Sequence, residues 1–269
     1  MNVLVLGAKG VVGEAVTKHF KSKGYNVIEW DIKIDSSHDL RVRHSLYFLL
    51  KEKNIDFAIF LAFDVGGSKY KVDSHDYISN NMRLMDYTFE SLSAFKIPFI
   101  HSTSQMSNMD HNPYGPLKRI GEFYTEYLGG VNVKIWNVYG PEEVNEKSHV
   151  LNDFVHQART NKCIKMMTSG KEMRQFLHGE DFAKALIKVI ENFEILKGKT
   201  IDISNFEWVS ILDVAHIVAK QFDAEVIPGF VEATFQTKVN EPSEAILQLN
   251  WKPEISLIDG IKQLVQGTF

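Results

Sequence analysis

Apolar residues open the chain in a short run at positions 1–6 (MNVLVL) and stop at Gly7. From Val11 the apolar positions fall at helical spacing as far as Ser22, and a second strand-like run at 25–30 ends on Asp31. This change of period predicts strand, helix and strand in succession. The rhythm continues with a helix near 45–52 and a nearly continuous apolar run at 54–63 (NIDFAIFLAF), of the kind found in the middle of a parallel sheet. A long helix is expected over 77–93, with Ile78, Met82, Met85 and Phe89 as its core-facing stripe. A strand over 98–103, a helix from 114 to about 128 stopped by Gly129-Gly130, and a strand over 131–136 follow. Connections this short allow only an α/β fold, a Rossmann-type doubly wound parallel sheet with right-handed crossovers.

From Tyr139 the rhythm changes. Gly140-Pro141 and a charged stretch at 142–147 precede a helix at 149–159, a strand-like segment at 162–168 and a helix at 181–191. A strand at 200–204, a helix at 210–221 with Ser210 as its N-cap, and a last helix at 255–265 complete the pattern. We read residues 1–140 as the larger domain and 141–269 as mainly a smaller lobe, with some elements interleaved into the large domain.

The first turn carries the most informative polar pattern. Gly7-Ala8-Lys9-Gly10-Val11-Val12-Gly13 lies between strand and helix. There Gly7 permits the tight turn, Gly10 lets backbone approach a pyrophosphate, and Gly13 lets helix and sheet sit close. The free N–H groups at the helix start face the phosphates. Asp31 can take both hydroxyls of an adenosine ribose and repels a 2′-phosphate, which favours NAD(H). Lys9 and Lys33 could together answer such a phosphate, so NADP(H) stays open. Leu61-Ala62-Phe63 and Gly66-Gly67 lie where a crossover loop would pass the cofactor.

Composition narrows the field. The formal charge is −4, from 30 basic and 34 acidic residues, so no broad field draws the chain to nucleic acid or to an acidic membrane. A single cysteine, Cys163, rules out an internal disulfide and fits a reducing, cytoplasmic setting; its expected role is that of a small buried residue. No run of 18 apolar residues occurs, and Met1 leads directly into the first strand, so neither a membrane span nor a signal peptide is expected. No cluster of residues has metal-ligand spacing.

Tyr114 and Lys118 are four apart and share one helix face. An ammonium beneath the phenol is expected to lower its pKa and make it usable as an acid or base. A hydroxyl from Ser102-Thr103-Ser104, at the end of the preceding strand, can polarise the same substrate oxygen. With a nicotinamide nearby, these groups suffice for hydride transfer at a carbinol or keto carbon.

These features together resemble the extended short-chain dehydrogenases/reductases, the NAD-dependent epimerase/dehydratase family, which act on nucleotide sugars. The resemblance implies cofactor contacts from Gly7, Lys9, Gly10, Val11, Val12, Gly13, Asp31, Asp39, Leu40, Leu61 and Ala62, with Asp39 at the adenine. It implies a catalytic set of Ser104, Tyr114 and Lys118, with Thr103 in reserve. Asn137 in Asn-Val-Tyr-Gly-Pro and Arg174 in Met-Arg-Gln-Phe-Leu-His look like the groups that hold a substrate diphosphate. Trp251-Lys252-Pro253 with Leu257 and Gly260-Ile261 is similar to the family's C-terminal signature. A two-fold homodimer built on the Tyr114 helix and the long helix before it is also implied, with Phe123, Tyr124 and Tyr127 as aromatic contact area.

Within the family the likeness is to keto-sugar epimerase/reductases of the GDP-fucose synthase type, through the first glycine loop, Phe63-Asp64-Val65-Gly66-Gly67 and Ser148-His149-Val150. The histidine at the place of His149 is there an epimerisation acid, partnered by a cysteine two residues beyond the catalytic serine. Here that place holds Met106, which has no proton to exchange. Only nine residues separate Ser104 from Tyr114, so the loop lining the sugar pocket is short. The expected activity is C4 reduction of a nucleotide-linked 4-keto sugar. Epimerisation through transient oxidation and an inactive NAD(H)-binding protein are the alternatives.

Overall fold

The computed structural model describes residues 1–66, 70, 72–232 and 241–267; Gly67 lies outside them. The first unit is β1 (Asn2–Leu6), α1 (Val11–Ser22) and β2 (Asn26–Trp30), followed by α2 (Ser45–Glu52), β3 (Phe57–Phe60), α3 (His75–Ala94), β4 (Phe99–Ser104), α4 (Tyr114–Tyr127), β5 (Val131–Ile135) and β6 (Val138–Tyr139). Then come α5 (Val150–Asn161), β7 (Cys163–Lys165), β8 (Met173–Arg174), β9 (Leu177–His178), α6 (Gly179–Glu191), α7 (Phe193–Leu196) and β10 (Thr200–Ile203). The chain finishes with β11 (Val209–Ser210), α8 (Ile211–Lys220), β12 (Glu225–Ile227), α9 (Glu244–Gln248) and α10 (Leu257–Gln266).

Six parallel strands form the central sheet in the order β10-β5-β4-β3-β1-β2. Successive residues of β1 point to opposite faces, so Val3 and Val5 join one apolar layer while Leu4 and Leu6 join the other. Burial on both faces explains why β1 and β3 read as uninterrupted apolar runs. The order reverses between β1 and β3, and their carboxyl ends open a crevice at that switch point. β10 returns to the edge of the large sheet beside β5, and α6 packs on α1. A third apolar cluster, with Leu151, Phe154, Ile164, Phe176, Val214, Val218 and Ile261, gathers α5, α8 and α10 into the smaller lobe.

Three details differ from the expectations. The strand expected over 54–63 pairs only at Phe57–Phe60, because Leu61, Ala62 and Phe63 leave the ladder to line the crevice. In α3, Met85 and Phe89 are buried but Ile78 and Met82 are exposed. The inward face is instead Tyr77, Asn81, Met85, Thr88, Phe89 and Leu92. Polar Asn81 belongs to it because its side-chain oxygen accepts from the Asp64 N–H at 2.8 Å and its amide donates to the Asp64 carbonyl at 3.2 Å. Cys163 is half-buried rather than buried, and Ile164 beside it is the residue that enters the core. Ser210 caps α8 as expected, accepting from the Asp213 N–H. Among the described residues no helix is long and apolar enough to cross a membrane.

Candidate functional site

One cleft of about 1680 Å³ runs from the ends of β1 and β2 to the smaller lobe. Each residue singled out from the sequence as a cofactor, catalytic or diphosphate contact lines it: the glycine loop, Asp31, Asp39, Leu40, Leu61, Ala62, Ser104, Tyr114, Lys118, Asn137, His149 and Arg174. Residues far apart in sequence meet because β4 and β5 end on the same edge as β1. The segment from Asn137 to Arg174 then folds back over that edge.

Gly7 has φ 87°, and a Cβ on it would stand 2.7 Å from the Ala62 backbone nitrogen. A Cβ on Gly13 would lie 2.0 Å from the Gly7 carbonyl oxygen, so this glycine sets the distance between α1 and the loop. Gly10 differs, since its missing Cβ would meet only the Gly7 oxygen, at 3.5 Å. As the N-cap of α1 it offers no side chain to the helix's first N–H groups. Those donors, the positive end of the helix dipole and the open space at Gly10 form a cradle that fits a dinucleotide pyrophosphate.

At the adenosine end the Asp31 carboxylate accepts the N–H of Lys9 and of Lys33, both at 2.9 Å, which locks the two loops around it. Each oxygen keeps a further lone pair for a ribose hydroxyl. The Lys9 ammonium turns to Glu29, 2.8 Å away, and that of Lys33 donates to the Lys9 carbonyl at 3.3 Å. Asp39 is gripped by Arg41, whose Nε and Nη2 lie 2.9 and 2.8 Å from its two oxygens. This ion pair holds the Asp39 carboxyl below its usual range. Trp30 and His38 stack with centroids 3.7 Å apart along the same wall.

The reactive end is built on β4 and α4. Ser104 ends β4 and its hydroxyl accepts the Met106 N–H at 3.1 Å. The Ser104 hydroxyl acts on the Tyr114 phenol, favouring its ionised form. Lys118 is buried, donates to the Ser102 carbonyl at 3.0 Å and lies 3.9 Å from the centroid of the Phe63 ring. Phe63 also meets Tyr114 edge-on, with centroids 5.8 Å apart, and so walls the pair from one side. Burial pulls Lys118 down to about 7, with Glu122 pushing back. The expectation of a lowered tyrosine is corrected here. Burial drives Tyr114 above its ordinary value and only Ser104 opposes it.

The short segment between Ser104 and Tyr114 folds as one 3₁₀ turn, Gln105–Asn108, with Met106 lining the cleft. Gly115 makes this compactness workable: a Cβ there would sit 1.9 Å from the Met109 carbonyl oxygen and 2.5 Å from that of Met106. On the opposite wall, Asn137 adopts a left-handed backbone (φ 37°) and donates through Nδ2 to the Gln175 carbonyl at 3.0 Å. Its side chain thereby ties down the segment that carries Arg174. The Arg174 guanidinium is half-buried and donates to the Met173 carbonyl, and burial lowers its pKa against the pull of Glu172. His149 is the N-cap of α5; its N–H donates to Glu142, and its Nδ1 lies 3.0 Å from the other Glu142 oxygen.

Sequence reasoning gave Arg41, Glu122, Glu142 and Lys147 no role in the site, and named Phe63 and Asp64 only within the crossover loop and the segment that carries the resemblance. Their partners lie on other elements or are charged neighbours with no fixed spacing, so only Glu122, one helical turn beyond Lys118, left a readable signal.

The chain is 25% identical to a GDP-L-fucose synthase from Dictyostelium discoideum over 276 residues, covering 88% of this chain and 85% of that protein. Its fold is similar to that of the GDP-mannoheptose C4 reductase from Campylobacter jejuni with NADP bound, with a TM-score of 0.83, 19% identity and coverage of 98% and 97%. It is similar also to the UDP-glucose 4-epimerase from Thermus thermophilus in complex with NAD, with a TM-score of 0.84, 16% identity and coverage of 100% and 99%. The pattern of the NAD dependent epimerase/dehydratase family matches residues 3–204, the span that holds the glycine loop, Ser104, Tyr114, Lys118 and Arg174, and the chain belongs to that family.

Proposed function

We propose that this protein is an NAD(P)-dependent oxidoreductase of nucleotide-linked sugars, and that its reaction is reduction at C4 of a 4-keto sugar. The observation that carries this reading is the single cleft in which the pyrophosphate cradle at Gly10 is continuous with Ser104, Tyr114 and Lys118. When bound, the nicotinamide supplies the hydride. The relatives named above, a GDP-L-fucose synthase and a GDP-mannoheptose C4 reductase, support the substrate class.

In this reaction Arg174 and Asn137 hold the diphosphate from the wall opposite Ser104. The Ser104 hydroxyl donates to the keto oxygen and fixes it beside the phenol. Tyr114 donates its proton to that oxygen as it becomes an alkoxide. A phenol raised by burial is neutral near pH 7, the form that an acid for reduction requires. The resulting phenolate would be stabilised by the positive charge of Lys118, one helical turn away, and the same ammonium would hold the nicotinamide ribose. Phe63 keeps water from one side of the pair.

The same groups run in reverse would support epimerisation through transient oxidation, and the His149–Glu142 pair at the cleft would separately serve proton exchange beside a ketone. The exposed side chains of Phe123, Tyr124 and Tyr127 on α4, with Ile78 and Met82 on the adjacent α3, support a homodimer through this face.

Tyr114→Phe tests the reading. Turnover of a nucleotide-linked 4-keto sugar should fall by about 10²-fold or more while cofactor affinity stays within about twofold. Full activity of this variant would end the mechanism. Wild-type protein that binds cofactor but turns over no such sugar would favour an inactive, regulatory protein.

A further inference from the structure

Glu122 has no exposed surface, an unusual position for a carboxylate. It follows Lys118 by one turn of α4 and Tyr114 by two, so the three share a face of the helix. Its Oε1 accepts the Thr103 hydroxyl at 2.7 Å and lies 3.4 Å from the Lys134 ammonium on β5, while its Oε2 pairs with Arg119. Thr103 is the residue before Ser104, and Lys118 grips the carbonyl of the residue before that, Ser102. Two consecutive turns of α4 therefore hold two consecutive residues of β4 immediately ahead of Ser104. The Glu122 backbone carbonyl accepts the Asn132 amide at 3.0 Å, and Asn132 Oδ1 in turn meets His101 Nδ1 at 3.1 Å, which extends the network across β4 and β5.

We propose that Glu122 is the positioning residue of the Tyr114–Lys118 pair: it fixes the end of β4 against α4 through Thr103 and supplies the negative charge that keeps the buried Lys118 ammonium protonated. The inference rests on the oxidoreductase reading only for the role of Lys118, not for the network. Among the described residues, Glu122 is the one carboxylate that acts on Lys118. On its own helix it has Tyr114 and Glu122; on β4, the Ser102 carbonyl and His101, which burial holds neutral with a pKa of about 3; in the loop after β3, the Phe63 ring. Lys134 and Arg119 face Glu122 and are cations themselves. Burial alone would carry the lysine further below its value of about 7, and Glu122 is the group that opposes it. A neutral lysine would lose its charge-assisted hold on the nicotinamide ribose and its stabilisation of the phenolate.

Two variants move the charge in opposite directions. Glu122→Gln keeps an oxygen for Thr103 and removes the charge. Arg119→Met, at a partly exposed site, removes a cation that competes for Glu122. The direct readout is the titration of Lys118 by carbon NMR on lysine-labelled full-length protein, assigned with Lys118→Arg. Its midpoint should fall by about one pH unit or more in Glu122→Gln and rise in Arg119→Met. The pH above which NADH affinity declines, followed by nicotinamide fluorescence, should shift in the same two directions. A folded Glu122→Gln whose lysine midpoint matches the wild type would overturn the proposal and leave Glu122 a structural residue. Should that variant fail to fold, an unmoved or lowered midpoint in Arg119→Met would overturn it equally. Wild-type protein that binds neither NADH nor NADPH would defeat the oxidoreductase reading, while the lysine titration would still decide the role of Glu122.

Discussion

The Lys147 ammonium lies 2.6 Å from Asp64 Oδ1, joining the segment that leads into α5 to the loop that leaves β3. Both residues line the cleft, so the pair is a tether across it. The Tyr70 hydroxyl donates to the same carboxylate at 3.0 Å, and the Lys147 ammonium stands 4.3 Å from the centroid of the Tyr70 ring. Because the lysine is 44% exposed, water competes for the contact. A double-mutant cycle with Asp64→Asn and Lys147→Met should give a coupling of at most about 1 kcal/mol, weakened further by 1 M salt. That is small enough for a substrate to open. A coupling several times larger, insensitive to salt, would make the tether a fixed part of the fold.

The three glycines of the first loop should behave differently on substitution. In Gly13→Ala the new methyl would stand 2.0 Å from the Gly7 carbonyl oxygen, a backbone atom that cannot swing aside. The loss of stability should be roughly 1–3 kcal/mol or more. Gly10 has φ −80° and open space around its missing Cβ, so Gly10→Ala should unfold in urea within about 0.5 kcal/mol of the wild type. Its cofactor affinity should nevertheless drop about tenfold, because the methyl occupies the path of the pyrophosphate. Equal affinity in Gly10→Ala and the wild type would show that the backbone does not approach the ligand there.

What was legible in the sequence follows from how local each constraint is. The glycine loop, the strand end at Asp31 and the Tyr114–Lys118 spacing are set by a few adjacent residues, and the family match rests on the same span. The stripe on α3 was misread because a helical period can be drawn through Ile78 and Met82 as easily as through Tyr77 and Asn81. Only the contact of Asn81 with the Asp64 backbone decides between the two faces. The parts that Gly115 and Phe63 play were illegible for the same reason: each answers a neighbour on another element, the Met109 carbonyl in one case and the Lys118 ammonium in the other. The raised tyrosine was missed because burial depends on the whole packed cleft, whereas spacing shows only that a lysine is near.

Acid should expose the buried histidine of β4. His101 is 1% exposed, and burial holds its pKa at about 3, against about 6.5 in an unfolded chain. Below pH 6.5 the unfolded state binds a proton that the native ring refuses. The stability contribution is therefore complete above 6.5 and is lost progressively as pH falls toward 3. His101→Gln, which can still meet Asn132, should flatten the stability profile between pH 6 and 4 by up to one proton, about 1.4 kcal/mol per pH unit. Parallel profiles for variant and wild type would mean that the ring is protonated in the native state.

Cofactor choice should turn on where Lys9 is held. Its ammonium is paired with Glu29, which also binds Lys21, so it is drawn from the Asp31 carboxylate where a 2′-phosphate would sit. The wild type should therefore prefer NAD(H), and Glu29→Gln, by releasing Lys9, should improve NADP(H) affinity several-fold with little change for NAD(H). Asp31→Asn should go further by removing the repelling charge, at some loss of order in the loops bonded to it. Equilibrium titration of the four nicotinamide forms checks both. A tenfold preference of the wild type for the phosphorylated forms would show that Lys9 and Lys33 outweigh Asp31.

Stereochemistry at the carbons beside the ketone should be untouched by this enzyme. With Nδ1 of His149 donating to Glu142, Nε2 is the ring nitrogen free to exchange a proton with a substrate. Inversion at such a carbon needs a second proton-exchanging group on the opposite face, and the residue after Ser104 and Gln105 is Met106, whose thioether has no proton to give. Turnover in deuterium oxide should then give product with no deuterium at the carbons flanking C4, measured by NMR. Met106→Cys places a thiol on the same short turn and should introduce exchange, which His149→Asn in that background should remove while hydride transfer continues. Deuterium incorporation or inversion by the wild type would show that one group, His149 or a water it holds, suffices for epimerisation in this cleft.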